Sequence, residues 1–209
     1  MLSCIKWDLK KIVRQVRFLL FGYLLLLGLL FFLPDSAAGS FYFNLINILT
    51  AVGCSFFALY PCYHLHSFFQ GRYRLLEHSA GLSFLQVLPA KLAVNLALVL
   101  ISLVLAHFAS SAMSRFPTEN VSYFTIHYDR ISWHYLLLYA AGLPLIWTFL
   151  NQAARRFLPS LREVLSFIGT YFLGSLLAGV LYGTHGLFYT LLLLALLAFA
   201  VERLERSSQ

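Results

Sequence analysis

The sequence predicts an all-α integral membrane protein with about six transmembrane helices. Of its 209 residues, 60% are hydrophobic and 17% are aromatic, while only 11% are charged. Soluble domains carry roughly 25% charged residues, and a soluble fold of this size could not remove so much apolar surface from water. A bilayer accepts apolar side chains on the outside of the molecule, provided that helices satisfy every backbone hydrogen bond.

The first element is an amphipathic segment over residues 1–17. Its apolar residues recur at helical spacing, and the basic residues lie on the opposing face. We predict a helix on the inner membrane surface, with these surface residues: Lys6, Trp7, Lys10, Lys11, Arg14 and Arg17. The helix serves either as a simple positive anchor or as the element that transmits force from a cytoplasmic partner into the first span.

Six apolar stretches then follow that are long enough, or nearly so, to cross roughly 30 Å of hydrocarbon. They are Phe18–Leu33, Phe41–Tyr63, Leu92–Ala112, Ile131–Leu150, Val164–Tyr182 and Leu187–Val201. The first has basic residues before it and small residues after it, as a signal peptide does. We interpret it as a retained span, because the remaining spans then alternate regularly. We therefore predict a single transmembrane domain over residues 1–209.

The distribution of basic residues predicts the orientation, because Lys and Arg accumulate in cytoplasmic loops. One set of alternate connections holds Lys6, Lys10, Lys11, Arg14, Arg17, Arg72, Arg74, Lys91, Arg155, Arg156, Arg162, Arg203 and Arg206, and the other holds only Arg115 and Arg130. Both termini are therefore predicted to be cytoplasmic. The net charge of +7 does not indicate nucleic acid, because its residues are spread between apolar stretches.

The largest cytoplasmic connection, residues 68–90, mixes charged and apolar residues between the second and third spans. A short coupling helix here would offer ionic contacts and an apolar plug to a groove on another protein. The candidate contact residues are Arg72, Arg74, Leu75, Leu76, Glu77, His78 and Ser79. An interfacial loop without a partner is the alternative.

This layout resembles permease subunits of type-two ABC exporters, which have six spans and no fused ATPase. The resemblance covers nearly the whole chain, and its most specific feature is the stretch from Gly81-Leu82-Ser83 to Leu88-Pro89. It implies two permeases, this chain with a second copy or a related one, and two cytoplasmic ATPases that bind ATP and Mg²⁺. It implies export of an amphipathic peptide, drug or lipid across a bacterial cell membrane. No glycine here is followed by the Lys-Ser or Lys-Thr of a phosphate-binding loop, so the ATPase would be a separate chain.

Two groups of residues within the spans are candidates for contacts. Asn44, Asn47 and Thr50 follow each other at spacings of three and form a polar strip that would line a substrate path or bond to a neighbouring helix. Small residues let helices approach closely, either in a dimer interface or within one chain. On the fifth span these are Gly174, Ser175, Ala178 and Gly179.

Other classes of site have weaker support, and we expect no catalytic residue, metal or cofactor in this chain. His64, His66, His78 and Cys62 lack the ligand spacing of a zinc site. An intramembrane serine protease would need a serine and a histidine in contact, whereas the predicted topology places Ser83 and His185 at opposite faces. A non-transporting scaffold or immunity protein that uses the same inner loop remains the main alternative.

Overall fold

The computed structural model describes residues 2–34, 41–69, 79–113, 133–181 and 185–207, and every regular element in these ranges is helical. The α-helices are α1 (Leu2–Phe32), α2 (Phe41–His66), α3 (Phe84–Met113), α4 (Trp133–Leu137), α5 (Leu143–Phe157), α6 (Arg162–Leu181) and α7 (Gly186–Arg206). A π-helical turn, Leu138–Gly142, joins α4 to α5. Short 3-10 turns cover Ser67–Phe69 and Pro159–Leu161.

Four helical segments are long and apolar enough to cross a membrane: Ile5–Phe32, Phe84–Ala109, Pro159–Leu181 and Gly186–Arg206. In the first, third and fourth, only 22% to 28% of the apolar window is buried, so most of these side chains face outward, as in a protein surrounded by lipid. The all-α class is thereby confirmed for the described residues, with four helices long and apolar enough to cross a membrane. Helix α2 and residues 133–157 are helical across two further predicted spans, and the total of six spans stays a prediction.

Helix α1 runs without interruption through the predicted surface helix and the predicted first span. It has 31 residues, or about 46 Å at 1.5 Å per residue, which exceeds the roughly 30 Å of hydrocarbon. Asp8, Ile12 and Val16 form a buried stripe at a spacing of four, so the N-terminal half packs on the bundle. The predicted surface residues Lys6, Lys10, Arg14 and Arg17 are exposed, as is Trp7. Their contact with a membrane surface stays a prediction.

Contacts near the start of α3 bring both ends of the described chain together. Lys91 of α3 lies 3.4 Å from the Asp8 carboxylate of α1. The backbone N–H of Leu85 donates to Glu202 Oε2 near the end of α7, at 3.2 Å. We call this the basic end of the bundle, meaning the end formed by the first turns of α1 and α3 and the last turns of α2 and α7.

Helix α3 begins earlier than the predicted third span. Gly81 turns the chain with a φ of +69°, and the Gln86 side chain accepts a hydrogen bond from the Ser83 N–H at 2.9 Å, half of a capping box. The carboxylate of Glu202 further stabilises the positive end of the helix dipole. The end of the predicted 68–90 loop is therefore helical from Phe84 onward, and Pro89 lies inside α3.

Glycines allow α5 and α6 to pack closely. A Cβ added at Gly174 would lie 2.5 Å from a methyl carbon of Leu143, and one at Gly169 would lie 2.6 Å from Leu150. Gly179, by contrast, has nothing within 4 Å of such an atom. Part of the small-residue pattern on α6 therefore serves packing within the chain, which is the alternative to a dimer interface.

This difference gives a matched test of the α5–α6 contact. Gly174→Val should destabilise the protein by about 1 kcal/mol, because the added carbons must displace the end of the Leu143 side chain. Gly179→Val should change stability little, because its surroundings are open. Thermal unfolding of the two variants in detergent measures the difference, and equal losses would contradict this packing.

Candidate functional site

Four polar side chains form a buried ionic cluster between α1, α2 and α3, near the basic end: Asp8, His64, Lys91 and Asn95. Each is at most 1% exposed. Asp8 Oδ2 lies 3.4 Å from both Lys91 Nζ and His64 Nε2. A buried charge is costly unless it is paired, and here the pairing joins three helices at one carboxylate oxygen.

Asn95 connects this cluster to the π-helical turn. Its Nδ2 donates to the Ala140 carbonyl at 3.1 Å. In an α-helix that carbonyl would accept from residue 144, which is a proline and has no N–H. Since the Asn95 nitrogen faces Ala140, its oxygen faces His64 Nδ1 at 2.7 Å, and His64 must donate there. Single π-helical turns are frequent at functional sites.

Further contacts fasten the end of α2 to α1. Lys11 Nζ donates to Ser67 Oγ at 3.1 Å, and that hydroxyl donates to the His64 carbonyl at 2.6 Å. One turn earlier in α2, the Tyr60 hydroxyl donates to Gln15 Oε1 of α1 at 2.8 Å. The chain segment that leads into the predicted docking loop is thus held by hydrogen bonds to α1.

A groove of about 880 Å³ lies between α2, α5 and α6. This volume is within the roughly 300–1,000 Å³ typical of sites for small organic ligands. Its wall is largely aromatic and includes Phe56, Tyr60, Tyr63, Tyr139, Trp147, Phe167 and Tyr171. The rings of Phe167 and Tyr171 line one side of the groove and are exposed. The groove therefore opens laterally, toward the outside of the helix bundle.

Along α6, the groove extends from Glu163 past Thr170 and Gly174 to Ala178. These residues lie at helical spacings that place them on one stripe. Fifteen residues separate the first from the last, which corresponds to about 22 Å along the helix axis. The groove is therefore long and narrow, with Glu163 and the last turn of α2 at the basic end.

Two buried polar groups of the groove wall lack hydrogen-bond partners among the described residues, one at the basic end and one about midway along the groove. They are His66 Nδ1, in a residue 5% exposed, and Thr170 Oγ1, in a residue 8% exposed. Both residues line the groove. Glu163 is instead satisfied by Asn151 at 3.4 Å and by Arg162 at 2.8 Å. An orphaned buried polar atom requires an explanation, and a ligand in the groove provides one.

The π-helical turn is common to the groove and the cluster. Leu138 and Tyr139 line the groove, while the carbonyl of the next residue, Ala140, accepts from Asn95. Similarly, His66 lines the groove and His64 belongs to the cluster. The cluster and the groove wall are therefore joined through two segments of backbone.

Asn44 and Thr50 of the predicted polar strip are not among the described residues that line this groove. Asn44 is exposed, and the buried Thr50 donates to the carbonyl of Ile46 in its own helix at 2.8 Å. The side chain of Asn47 lies outside the described part of the chain. A substrate path along this strip stays a prediction, and the groove is a second candidate path.

Three of the four predicted dimer-interface residues line the groove: Gly174, Ser175 and Ala178. The fourth, Gly179, is exposed. Among the predicted ATPase contacts, Ser79 is exposed, whereas Arg72, Arg74, Leu75, Leu76, Glu77 and His78 lie outside the described residues. The dimer interface and the docking site both stay predictions.

The described residues contain no group of three His, Cys, Asp or Glu side chains that could hold a metal ion. His64 faces the ionic cluster, whereas His66 and Cys62 line the groove. His78 lies outside the described part of the chain.

Ser83 and His185 lie at opposite ends of α7. Ser83 is two residues from Leu85, which bonds to Glu202, whereas His185 directly precedes the helix. The 17 residues from position 185 to position 202 correspond to about 26 Å of helix. A Ser–His pair that acts together in catalysis would need direct contact, and these two residues cannot provide it.

Three residues of the ionic cluster were not predicted from the sequence as site residues: Asp8, Lys91 and Asn95. For Asp8 the sequence does contain a signal. This residue precedes Ile12 and Val16 at a spacing of four, which places one acidic group on an apolar stripe. Its partner Lys91 is 83 residues away, and no local pattern relates the two.

Comparison with known proteins gave no family model, no curated protein and no solved structure that matches this chain. The function must accordingly be argued from the groove and the ionic cluster themselves.

Proposed function

We propose that this chain is the transmembrane subunit of an ABC exporter, which moves an amphipathic molecule across a bacterial cell membrane. Two permease subunits would assemble with two cytoplasmic ATPases, and ATP and Mg²⁺ would bind to those partners. The basic end of the bundle would face the cytoplasm, with both termini there. The observation that carries the proposal is the aromatic groove of about 880 Å³.

The groove suits an amphipathic cargo for a physical reason. Its wall is mostly apolar, and its few unsatisfied polar groups are His66 at the basic end and Thr170 about midway along the groove. A molecule with an apolar body and a polar head could enter sideways from the bilayer without being fully exposed to water. Binding sites of this kind combine an apolar wall with a few placed polar groups.

The ionic cluster offers a route by which an ATPase could act on the groove. The predicted docking loop follows Ser67, whose hydroxyl is bonded to Lys11 and to the His64 carbonyl. From His64 the contacts continue through Asn95 to the π-helical turn. These contacts connect the docking loop to the groove wall in space, and energetic coupling between the two is measured separately.

The proposal is tested by purification and reconstitution. The chain should copurify with a soluble ATPase, and the complex in vesicles should show ATPase activity that an amphipathic substrate stimulates. Deletion of Leu75–Ser79 should abolish this stimulation, because it removes the predicted docking segment. Stimulation that survives the deletion would contradict the docking assignment.

A non-transporting scaffold or immunity protein is the second candidate. The observation that favours it is the buried ionic cluster, which ties α1 to α2 and α3 and would suit a rigid platform. Repeated purification without any associated nucleotide-binding subunit would favour this function.

A further inference from the structure

We propose that the groove binds a phosphate-bearing membrane lipid from the leaflet at the basic end, with one acyl chain in the groove. The phosphate would lie near Arg155 and Arg162, and His66 and Thr170 would bond to the oxygen atoms of the head region. In so far as this lipid is the cargo, the inference rests on the proposed function. The binding itself needs no ATPase and can be measured separately.

The length of the groove matches one leaflet of a bilayer. A bilayer is about 40–45 Å thick with its headgroups, so one leaflet measures roughly 20–22 Å. The groove runs about 22 Å along α6 from Glu163 to Ala178. A lipid whose head lies at Glu163 would therefore extend its chain to the far end of the groove, near the middle of the bilayer.

The polar end has hydrogen-bond donors available for an anionic head. Neutral imidazole can carry a proton on Nδ1, and a threonine hydroxyl can always donate. His66 Nδ1 and Thr170 Oγ1 are both buried in the groove wall without partners among the described residues. Phosphate and ester oxygens are acceptors, so a phosphate oxygen would accept from His66 at the basic end and an ester oxygen from Thr170, about 10 Å along α6 from Glu163.

The local charge also favours a phosphate. Three charged side chains lie close enough to influence the His66 imidazole electrostatically: Glu163, Arg162 and Arg155. Glu163 and Arg162 form an ion pair at 2.8 Å, which leaves the positive charge of Arg155 in excess. Guanidinium groups bind phosphate through charge-assisted hydrogen bonds, so the excess charge complements an anionic head rather than a cationic one.

Helical register places Arg155 on the stripe of α5 that leads from the groove, and its neighbour Arg156 on another. Trp147, Asn151 and Arg155 follow each other at intervals of four and so share one stripe of α5. Trp147 lines the groove, and Asn151 bonds to Glu163 at its end. Arg156, in contrast, donates to Ser207 after α7 at 3.1 Å. The two arginines carry the same charge but lie on different stripes of α5. They therefore form a matched pair for substitution.

The test uses Trp147 as a reporter in the groove wall. The chain has three tryptophans, and the variant Trp7→Phe/Trp133→Phe leaves only Trp147. Phosphatidate with a brominated acyl chain, added to vesicles of neutral lipid, should quench the Trp147 fluorescence at lower mole fraction than brominated diacylglycerol does. Arg155→Gln should weaken the apparent affinity for phosphatidate about tenfold, as expected for loss of one charge-assisted contact.

Arg156→Gln in the same background is the control and should leave quenching by phosphatidate unchanged. The proposal is overturned if brominated diacylglycerol or a brominated cationic lipid quenches as strongly as phosphatidate, because the groove would then not recognise a phosphate. It is also overturned if both arginine variants lose affinity equally. Specific quenching together with a failure to find ATP-driven transport would contradict the proposed function alone.

Discussion

Replacing Lys91 with methionine is expected to lower the free energy of unfolding by about 3–5 kcal/mol, the usual loss when one partner of a buried ion pair is removed. Lys91 is 1% exposed and lies 3.4 Å from Asp8 Oδ2. Without it, the buried Asp8 carboxylate would lose its nearest lysine. The cluster joins α1, α2 and α3, so this loss would loosen all three helices at the basic end.

Chemical or thermal unfolding in detergent measures the effect, with Lys10→Met as the control. Lys10 is an exposed lysine of α1, and its removal should cost less than about 1 kcal/mol, as is usual for exposed ion pairs. The double variant Asp8→Leu/Lys91→Met should recover much of the stability, because no unpaired charge remains. Equal effects of the two lysine variants would show that the Asp8–Lys91 pair does not stabilise the bundle.

The position of this cluster has a physical reason. Between membrane helices, lipid tails are as apolar as the side chains, so hydrophobicity alone does not select one packing arrangement. A charged contact such as Asp8 to Lys91 and a directed one such as Asn95 to Ala140 are satisfied in only one register. We therefore infer that the cluster specifies how α1 and α3 dock, more than it adds to net stability.

The helical class could be predicted from sequence because it depends on local properties. The run Phe18–Leu33 is apolar over its whole length, and a backbone in lipid must satisfy its hydrogen bonds within the same segment. The structure accordingly contains this run within α1, except for its last residue, Leu33. The small residues of α6 were also identified from their spacing, although Gly174 proves to pack against Leu143 of the same chain.

The site could not be predicted because it depends on contacts between distant segments. Asp8 and Lys91 are 83 residues apart, and Asn95 and Ala140 are 45 apart. Charge patterning assigned the first 17 residues to a membrane surface, and it carries no information about a buried partner on α3. The π-helical turn before Pro144 likewise needs Asn95 to satisfy the Ala140 carbonyl, which a local reading of residues 133–157 does not reveal.

Filling the far end of the groove should stop transport while leaving the fold intact. Ala178 lines the groove and is half-buried, so Ala178→Trp places a large ring where the end of the cargo would lie. A clash that costs the bound cargo about 1–3 kcal/mol weakens its binding by about 5- to 150-fold. We expect substrate-stimulated ATPase activity and vesicle transport to fall by a similar factor, with the thermal unfolding midpoint little changed.

Leu176→Trp is the matched control for this substitution. Leu176 lies on the same helix two residues away, is 66% exposed and does not line the groove, so the new ring would project into lipid. Its transport activity should remain close to that of the unmodified protein. If both variants transported normally, the cargo would not pass through the groove, and the path would have to be sought elsewhere, beginning with the strip at Asn44, Asn47 and Thr50. If both lost transport together, the effect would follow from bulk on α6 and not from occupation of the groove.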